Sequence, residues 1–210
     1  AGTPTLLDLQ GTGAAFSWSF GMQYKLTQQT TIGVNYQSEN RFDLDGTAKV
    51  EAFVPGVGFV PAAFDATTRV VWPRAIGLGL RHDITRGTSL GVDLIYHGWQ
   101  RSFDQFRMRL TDSTSPLLAG FGPLTERVPM RWRDTLSIRL GLDHQLANCD
   151  RIRCGYVYHR NPIPNSTLTT YVAPTVEHTL SLGYGTRYRG LNIDFGYQWM
   201  FGDNVDIGDS

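Results

Sequence analysis

From Ala14 onward the sequence alternates apolar and polar residues almost without a break. Phe16, Trp18, Phe20, Met22, Tyr24 and Leu26 fall in one set, and Ser17, Ser19, Gly21, Gln23 and Lys25 in the other. A period of two is the mark of a strand whose two faces meet different surroundings, since successive strand side chains point to opposite sides. At 3.6 residues per turn a helix would scatter both sets around its circumference. The pattern returns in Ile32, Val34, Tyr36 against Gly33, Asn35, Gln37, and in Ile76, Leu78, Leu80 against Gly77, Gly79, Arg81. It recurs through Leu90 to Tyr96, Leu136 to Leu142, Ile152 to Tyr158, Leu180 to Tyr188 and Leu191 to Phe201. Eight antiparallel strands are therefore expected, and the fold class is all-β.

The connections separate a soluble sandwich from a membrane barrel. Short turns at Thr27 to Thr30, Thr85 to Thr88, Ala147 to Asp150 and Arg189-Gly190 alternate with long connections near 43–68, 111–130 and 161–175, each containing proline. Outer-membrane barrels join their strands in this way, by short turns on one side and long loops on the other. A Lys or Arg facing lipid at the bilayer midplane costs about 2–4 kcal/mol, so the apolar rows must face outward. The opposite rows carry Lys25, Glu39, Arg81, Asp83, Asp93, Arg139, Asp143, Arg153, Arg187 and Asp194, mixed in sign as a polar interior would be. Tyr24, Trp72, Trp99, Trp132, Tyr188 and Trp199 stand near strand ends, where aromatic girdles are expected. These features predict an antiparallel transmembrane β-barrel in a bacterial outer membrane, with residues 1–210 forming a single barrel portion.

Composition closes off other classes. No run of about 18 apolar residues is present, so no transmembrane helix is expected. Nineteen basic and nineteen acidic residues balance to a formal net charge of zero, which offers no broad attraction to nucleic acid. Ala1-Gly2-Thr3-Pro4 opens without a basic start or an apolar stretch, so no signal peptide is expected within these residues. Cys149 and Cys154 have no His or Cys at ligand spacing beside them, so no metal site is expected; the pair either closes a small disulfide loop or stays as two thiols. His97, His144, His159 and His178 each lie alone in or at the end of a strand, which reads as interior or rim histidines rather than catalysis. Gly11-Thr12-Gly13 and Gly183-Tyr184-Gly185 precede no helical pattern, so no nucleotide or other cofactor is expected. The segment Phe53 to Phe64 is unusually apolar for a loop facing water and needs a partner.

The stretch from Trp132 to Asp206 carries a family resemblance. It opens a strand with Trp132-Arg133-Asp134-Thr135, leaves a Tyr-rich strand through Asn161-Pro162-Ile163-Pro164-Asn165, and continues with His178-Thr179-Leu180-Ser181-Leu182-Gly183. Earlier, Tyr24-Lys25-Leu26-Thr27 enters a turn between two strands. In order and spacing this resembles the FadL/TodX family of outer-membrane long-chain fatty acid and hydrocarbon transporters. The resemblance implies a barrel of about fourteen strands, of which these eight are an interior portion lacking the N-terminal plug, the early strands and the closing strand. It implies passive, ligand-gated uptake of long-chain fatty acids or other hydrophobic small molecules, with no enzymatic activity and no cofactor. Phe53, Val57, Phe59, Val60 and Phe64 would form an initial binding groove in an outer loop, the same residues otherwise serving loop packing. Arg127 and Arg131 would contact a ligand head group, or stand as solvated arginines. Expected partners are the hydrophobic ligand, outer-membrane lipid and other envelope proteins. The alternative is a structural or adhesive barrel without transport, against which the apolar first loop argues.

Overall fold

A computed structural model of the protein describes residues 6–54, 56–116, 122–148, 150–168 and 176–202, and of residues 6, 7 and 52–54 the backbone alone. In chain order the strands are β1 (Leu6–Thr12), β2 (Ser19–Lys25), β3 (Thr30–Gln37), β4 (Asn40–Val54), β5 (Gly58–Trp72), β6 (Ala75–Thr85) and β7 (Thr88–His97). After one helical turn, α1 (Trp99–Ser102), follow β8 (Gln105–Thr111), β9 (Leu124–Pro129), β10 (Thr135–Gln145), β11 (Arg151–His159), β12 (His178–Tyr188) and β13 (Leu191–Phe201). These fall into two compact units, each built on one antiparallel sheet.

The larger unit holds the eight alternating segments in the order β13-β12-β11-β10-β7-β6-β3-β2. One apolar row, Tyr24-Ile32-Leu80-Val92-Leu140-Tyr156-Leu180-Trp199, crosses all eight strands by direct ladder pairing. The next row, Lys25-Thr31-Arg81-Gly91-Gly141-Gly155-Ser181-Gln198, presents the opposite face. Register of this kind is self-enforcing, because a slip of one residue would exchange the two rows wholesale. The short turns lie where expected; Arg189 and Gly190 both take left-handed backbone (φ 50° and 85°), the pair of positive φ angles that a two-residue type I′ hairpin requires. Among the described residues β2 and β13 each pair on one side only.

Water exposure of the apolar face is decisive for its surroundings. Leu182, Phe195 and Tyr197 are 64%, 64% and 70% exposed, and Phe20, Met22, Leu140 and Trp199 are exposed with them. A contiguous apolar face of this extent is a membrane or partner surface. Trp132 departs from the expected girdle: it is buried and packs against Trp99 at 5.2 Å between ring centroids. Glu39 also departs, lying just before β4 and paired with Arg41 rather than on the polar face of the large sheet.

The smaller unit is a five-stranded sheet, β1-β4-β5-β8-β9. β4, β5 and β9 fall largely within two connections expected to be loops, whereas β1 and β8 lie outside them. β4 and β5 form a hairpin of two 15-residue strands, paired from Asn40↔Trp72 to Val54↔Gly58. Among the described residues β8 pairs only with Asp65 to Thr68 of β5, so no strand there calls on an N–H at Pro61 from that side. One face of this sheet holds the core: Ala48, Ala62, Phe64, Ala66, Met108 and Leu110 are buried together, with Val50 and Phe106 against them.

Replacing Leu140, in the row that crosses all eight strands, by Arg is expected to destabilise the protein by about 2–4 kcal/mol in lipid vesicles. Gln23→Arg, on the opposite face, should change it little. Urea unfolding in vesicles reads the difference, and equal effects would invert the assignment of faces.

Candidate functional site

The polar face of the large sheet is where charge and space coincide. A cleft of about 680 Å³ opens on it, lined by Gln23, Thr31, Arg81, Asp83, Asp93, Asp143 and Arg153 together with Gly33, Gly79, Gly91 and Gly141. A neighbouring cleft of about 540 Å³ adds Asn35, Gly77, Ile95 and Arg139. The glycines have two uses here. At Gly79 an added Cβ would come within 2.7 Å of Asp93 Oδ1, so its absence lets the carboxylate lie flat over the next strand. At Gly91 and Gly141 an added Cβ would meet nothing within 4 Å, so their absence enlarges the cleft itself.

Ion pairs tie three strands together across this face. Asp143 on β10 accepts from Arg151 (3.2 Å) and Arg153 (3.0 Å) on β11, and Arg153 reaches on to Asp194 of β13 at 2.8 Å. That last bond passes over β12 at Gly185, where a Cβ would stand 2.6 Å from Asp194 Oδ1. Arg81 pairs with Asp83 along β6 at 3.1 Å.

At the opposite ends of the strands, register gathers residues that are scattered in sequence. Ile95, Ser137 and His159 share one row, and Ala75, His97 and Thr135 the following row on the same face. Ser137 Oγ and His159 Nδ1 are hydrogen-bonded, and the rings of His97 and His159 meet edge to face at 5.7 Å. Thr135 Oγ1 and His97 Nδ1 are buried with no hydrogen-bond partner among the described residues, leaving polar capacity in this corner.

On the apolar face a groove of about 620 Å³ is lined by Leu90, Val92, Leu140, Leu142, Tyr156, Leu180, Leu182, Tyr197 and Trp199. It lies behind the glycine row. Leu90, Gly91, Gly141, Leu142 and Cys154 line both this groove and the 680 Å³ cleft, so a single layer of backbone separates them.

The model of a family of outer membrane transport proteins, OMPP1/FadL/TodX, matches residues 2–210. This chain belongs to that family. Solved structures agree on the fold. The toluene transporter TodX of Pseudomonas putida superposes with a TM-score of 0.67 at 21% identity, over 89% of this chain and 44% of its own. A FadL homologue of Pseudomonas aeruginosa gives 0.76 at 19% identity, over 96% and 47%. The toluene transporter TbuX of Ralstonia pickettii gives 0.64 at 19%, over 94% and 51%. The chain thus spans about half the length of these structures. No curated protein sequence matches it.

As a FadL/TodX-family protein of the bacterial outer membrane, the chain turns its apolar face to lipid and its polar face to the barrel interior. Family members are transport proteins rather than enzymes. The residues singled out in sequence are not gathered into one site. Val57 lies in the turn after β4 and Phe59 at the start of β5, both exposed, whereas Phe64 is 4% exposed in the core of the small sheet. Phe59 and Val60 are adjacent in one strand and so point to opposite faces, which prevents a common groove. Phe53 pairs with Phe59 through its backbone, and its side chain lies outside the described residues. Arg127 is on β9, directly opposite Arg107 of β8, while Arg131 follows β9 with left-handed backbone (φ 52°) and belongs to the other unit. Cys154 is a free, exposed thiol on the lipid-facing row between Leu142 and Leu182; Cys149 lies outside the described residues.

Sequence reading missed the Ser137, His159, His97 and Thr135 corner. Each is unremarkable within its own strand, and the pairing register brings them together. It also missed Asp150, buried in the turn before β11, whose carboxylate accepts from Thr186 Oγ1, Tyr184 Oη and Asn148 Nδ2, each at 2.6 Å. Bonds from Thr186 and then Tyr184 hold this carboxyl below the usual carboxylate range. Since the folded value is lowered, its contribution is complete above the ordinary pKa of about 3.9 and fades as pH falls through the folded value. The amide of Leu146, which donates to Asp150 O at 2.8 Å, should lose protection as pH falls through that window. Asp150→Asn should lack this step in hydrogen exchange; a step persisting in the variant would refute the assignment.

Proposed function

We propose that this chain forms part of the wall of an outer-membrane channel that takes up hydrophobic small molecules passively, down their own gradient. The observation that carries the reading is the shared lining of Leu90, Gly91, Gly141, Leu142 and Cys154, where an interior cleft and an apolar lipid-side groove lie back to back. Gly91, Gly141 and Gly155 stand side by side in one interior-facing row, and at Gly91 and Gly141 an added Cβ would meet nothing within 4 Å.

Family membership supports transport, and TodX and TbuX are described as toluene transporters. For this chain the substrate class is long-chain fatty acids or aromatic hydrocarbons, molecules for which apolar area is the main source of affinity. Burying about 200 Å² of apolar surface contributes about 5 kcal/mol. On the affinity scale that lies between millimolar and micromolar, tight enough to collect and weak enough to release. A passive channel needs both.

Gly141→Trp tests this reading, because the site has room for the side chain and the backbone conformation stays ordinary. In cells that depend on this protein for uptake, the full-length variant should fold and insert but take up labelled oleate or toluene several-fold more slowly. Uptake unchanged for both compounds would remove the glycine row from the path. Failure of the parent protein to take up either would reject the function.

A further inference from the structure

The small sheet carries a second feature that the transport reading leaves unused. On the face opposite its apolar core, Arg107 of β8 and Arg127 of β9 are direct cross-strand partners, and Arg109, paired with Thr125, stands diagonal to Arg127. Directly opposed residues have Cβ atoms about 5 Å apart and diagonal ones about 7 Å, so three guanidinium groups converge on one patch. Like charges placed directly opposite each other are destabilising. All three side chains are exposed, and among the described residues no ion pair joins any of them to a carboxylate.

Among the described residues the acids nearest on this face form no ion pair with these arginines. Asp43 is taken by Arg69 at 2.5 Å, a bond that holds its carboxyl below the usual range. Asp65, opposite Thr111, is diagonal to Arg109, and Asp45 lies beyond Thr67 in the row of Arg109, but among the described residues neither forms an ion pair with it. Arg69 itself lies one residue beyond the last β5–β8 pair, Thr68↔Met108, and so continues the row toward Arg107. The sequence carries this cluster within a few residues of strands that span the membrane: six positions separate Arg69 from Ala75 at the start of β6, and eight separate Arg127 from Thr135 at the start of β10.

What surrounds the arginines defines the ligand. Their neighbours on this face are Thr67, Thr111, Thr125 and Gln105, with Asp65 opposite Thr111 and Pro129 opposite Gln105, while Phe106, Met108 and Leu110 point to the other side. Phe59, the exposed apolar residue of the hairpin tip, is eight positions from Thr67 along β5, roughly 26 Å away at strand rise. A fatty acid would find charge here without a surface for its tail. Three planar forks suit instead a multiply charged, multi-oxygen group. We propose that Arg107, Arg109 and Arg127 form a docking site for the phosphorylated head group of an outer-membrane glycolipid, independent of the transported molecule.

The test uses the full-length protein in non-ionic detergent, with native mass spectrometry or calorimetry as readout. The probes are a bisphosphorylated glucosamine-disaccharide lipid, its dephosphorylated form, inorganic phosphate and oleate. The phosphorylated lipid should bind at least about tenfold more tightly than the dephosphorylated one. The combined variant R107Q/R109Q/R127Q should erase that difference, while Arg86→Gln in a short turn keeps it. Affinity of the unaltered protein should also fall steeply with added salt, an arm that needs no variant. Equal binding of the two lipids, an unaffected triple variant that still shows the heat-dependent gel shift of a folded barrel, or salt-independent affinity would each overturn the proposal. Displacement of the lipid by equimolar inorganic phosphate would reassign the site to free phosphate, and displacement by oleate would reassign it to the transported ligand; either result overturns it.

Discussion

In hydrocarbon an unpaired peptide N–H or C=O costs several kcal/mol, and no water is present to relieve it. Everything in the large sheet follows from that constraint. It requires that strands pair along their whole length, as Met22-Val34-Leu78-Leu94-Ile138 do across five neighbours. Pairing at full length with a period of two then leaves each residue a choice between lipid and interior, and the chain makes the same choice in every strand. The sides of β2 and β13 that no described strand pairs stand under the same constraint, so in the membrane they need neighbouring strands.

The interior face answers to a different economy of space. Charged side chains there are long, and adjacent strands lie only about 4.8 Å apart, so Arg153 meets Asp194 two strands away because Gly185 between them has no side chain. Glycine thus does two opposite things on one surface. Beneath Asp93, Gly79 admits a polar group; at Gly91 and Gly141 the glycines leave open space, while Ser181 Oγ lies over Gly155.

The eight membrane strands were legible because lipid imposes a strong contrast, Leu and Phe against Gly and Arg. The five-stranded sheet was not, although Phe106, Arg107, Met108, Arg109 and Leu110 alternate as cleanly as any membrane strand. Pro61, the small residues Ala48, Ala62 and Ala66, and the position of these segments between two strong strands all favour a loop assignment. What overrides those signals is long-range pairing of β4 with β5 and of β8 with β9, each a sum of many weak ladder contacts. Of the apolar stretch Phe53 to Phe64, Phe64 lies in the core of its own sheet and Phe59 is exposed.

By itself the sequence determined the strand periodicity, the location of the short turns and which face meets lipid, since those depend on residue type at successive positions and on the cost of charge in hydrocarbon. Tertiary structure decided which strands are neighbours, and with that every relation between residues distant in the chain. The opposition of Arg107 to Arg127, the bridge from Arg153 to Asp194 and the meeting of Ser137 with His159 are register facts. Register is set by the pairing of whole strands, and no local pattern encodes it.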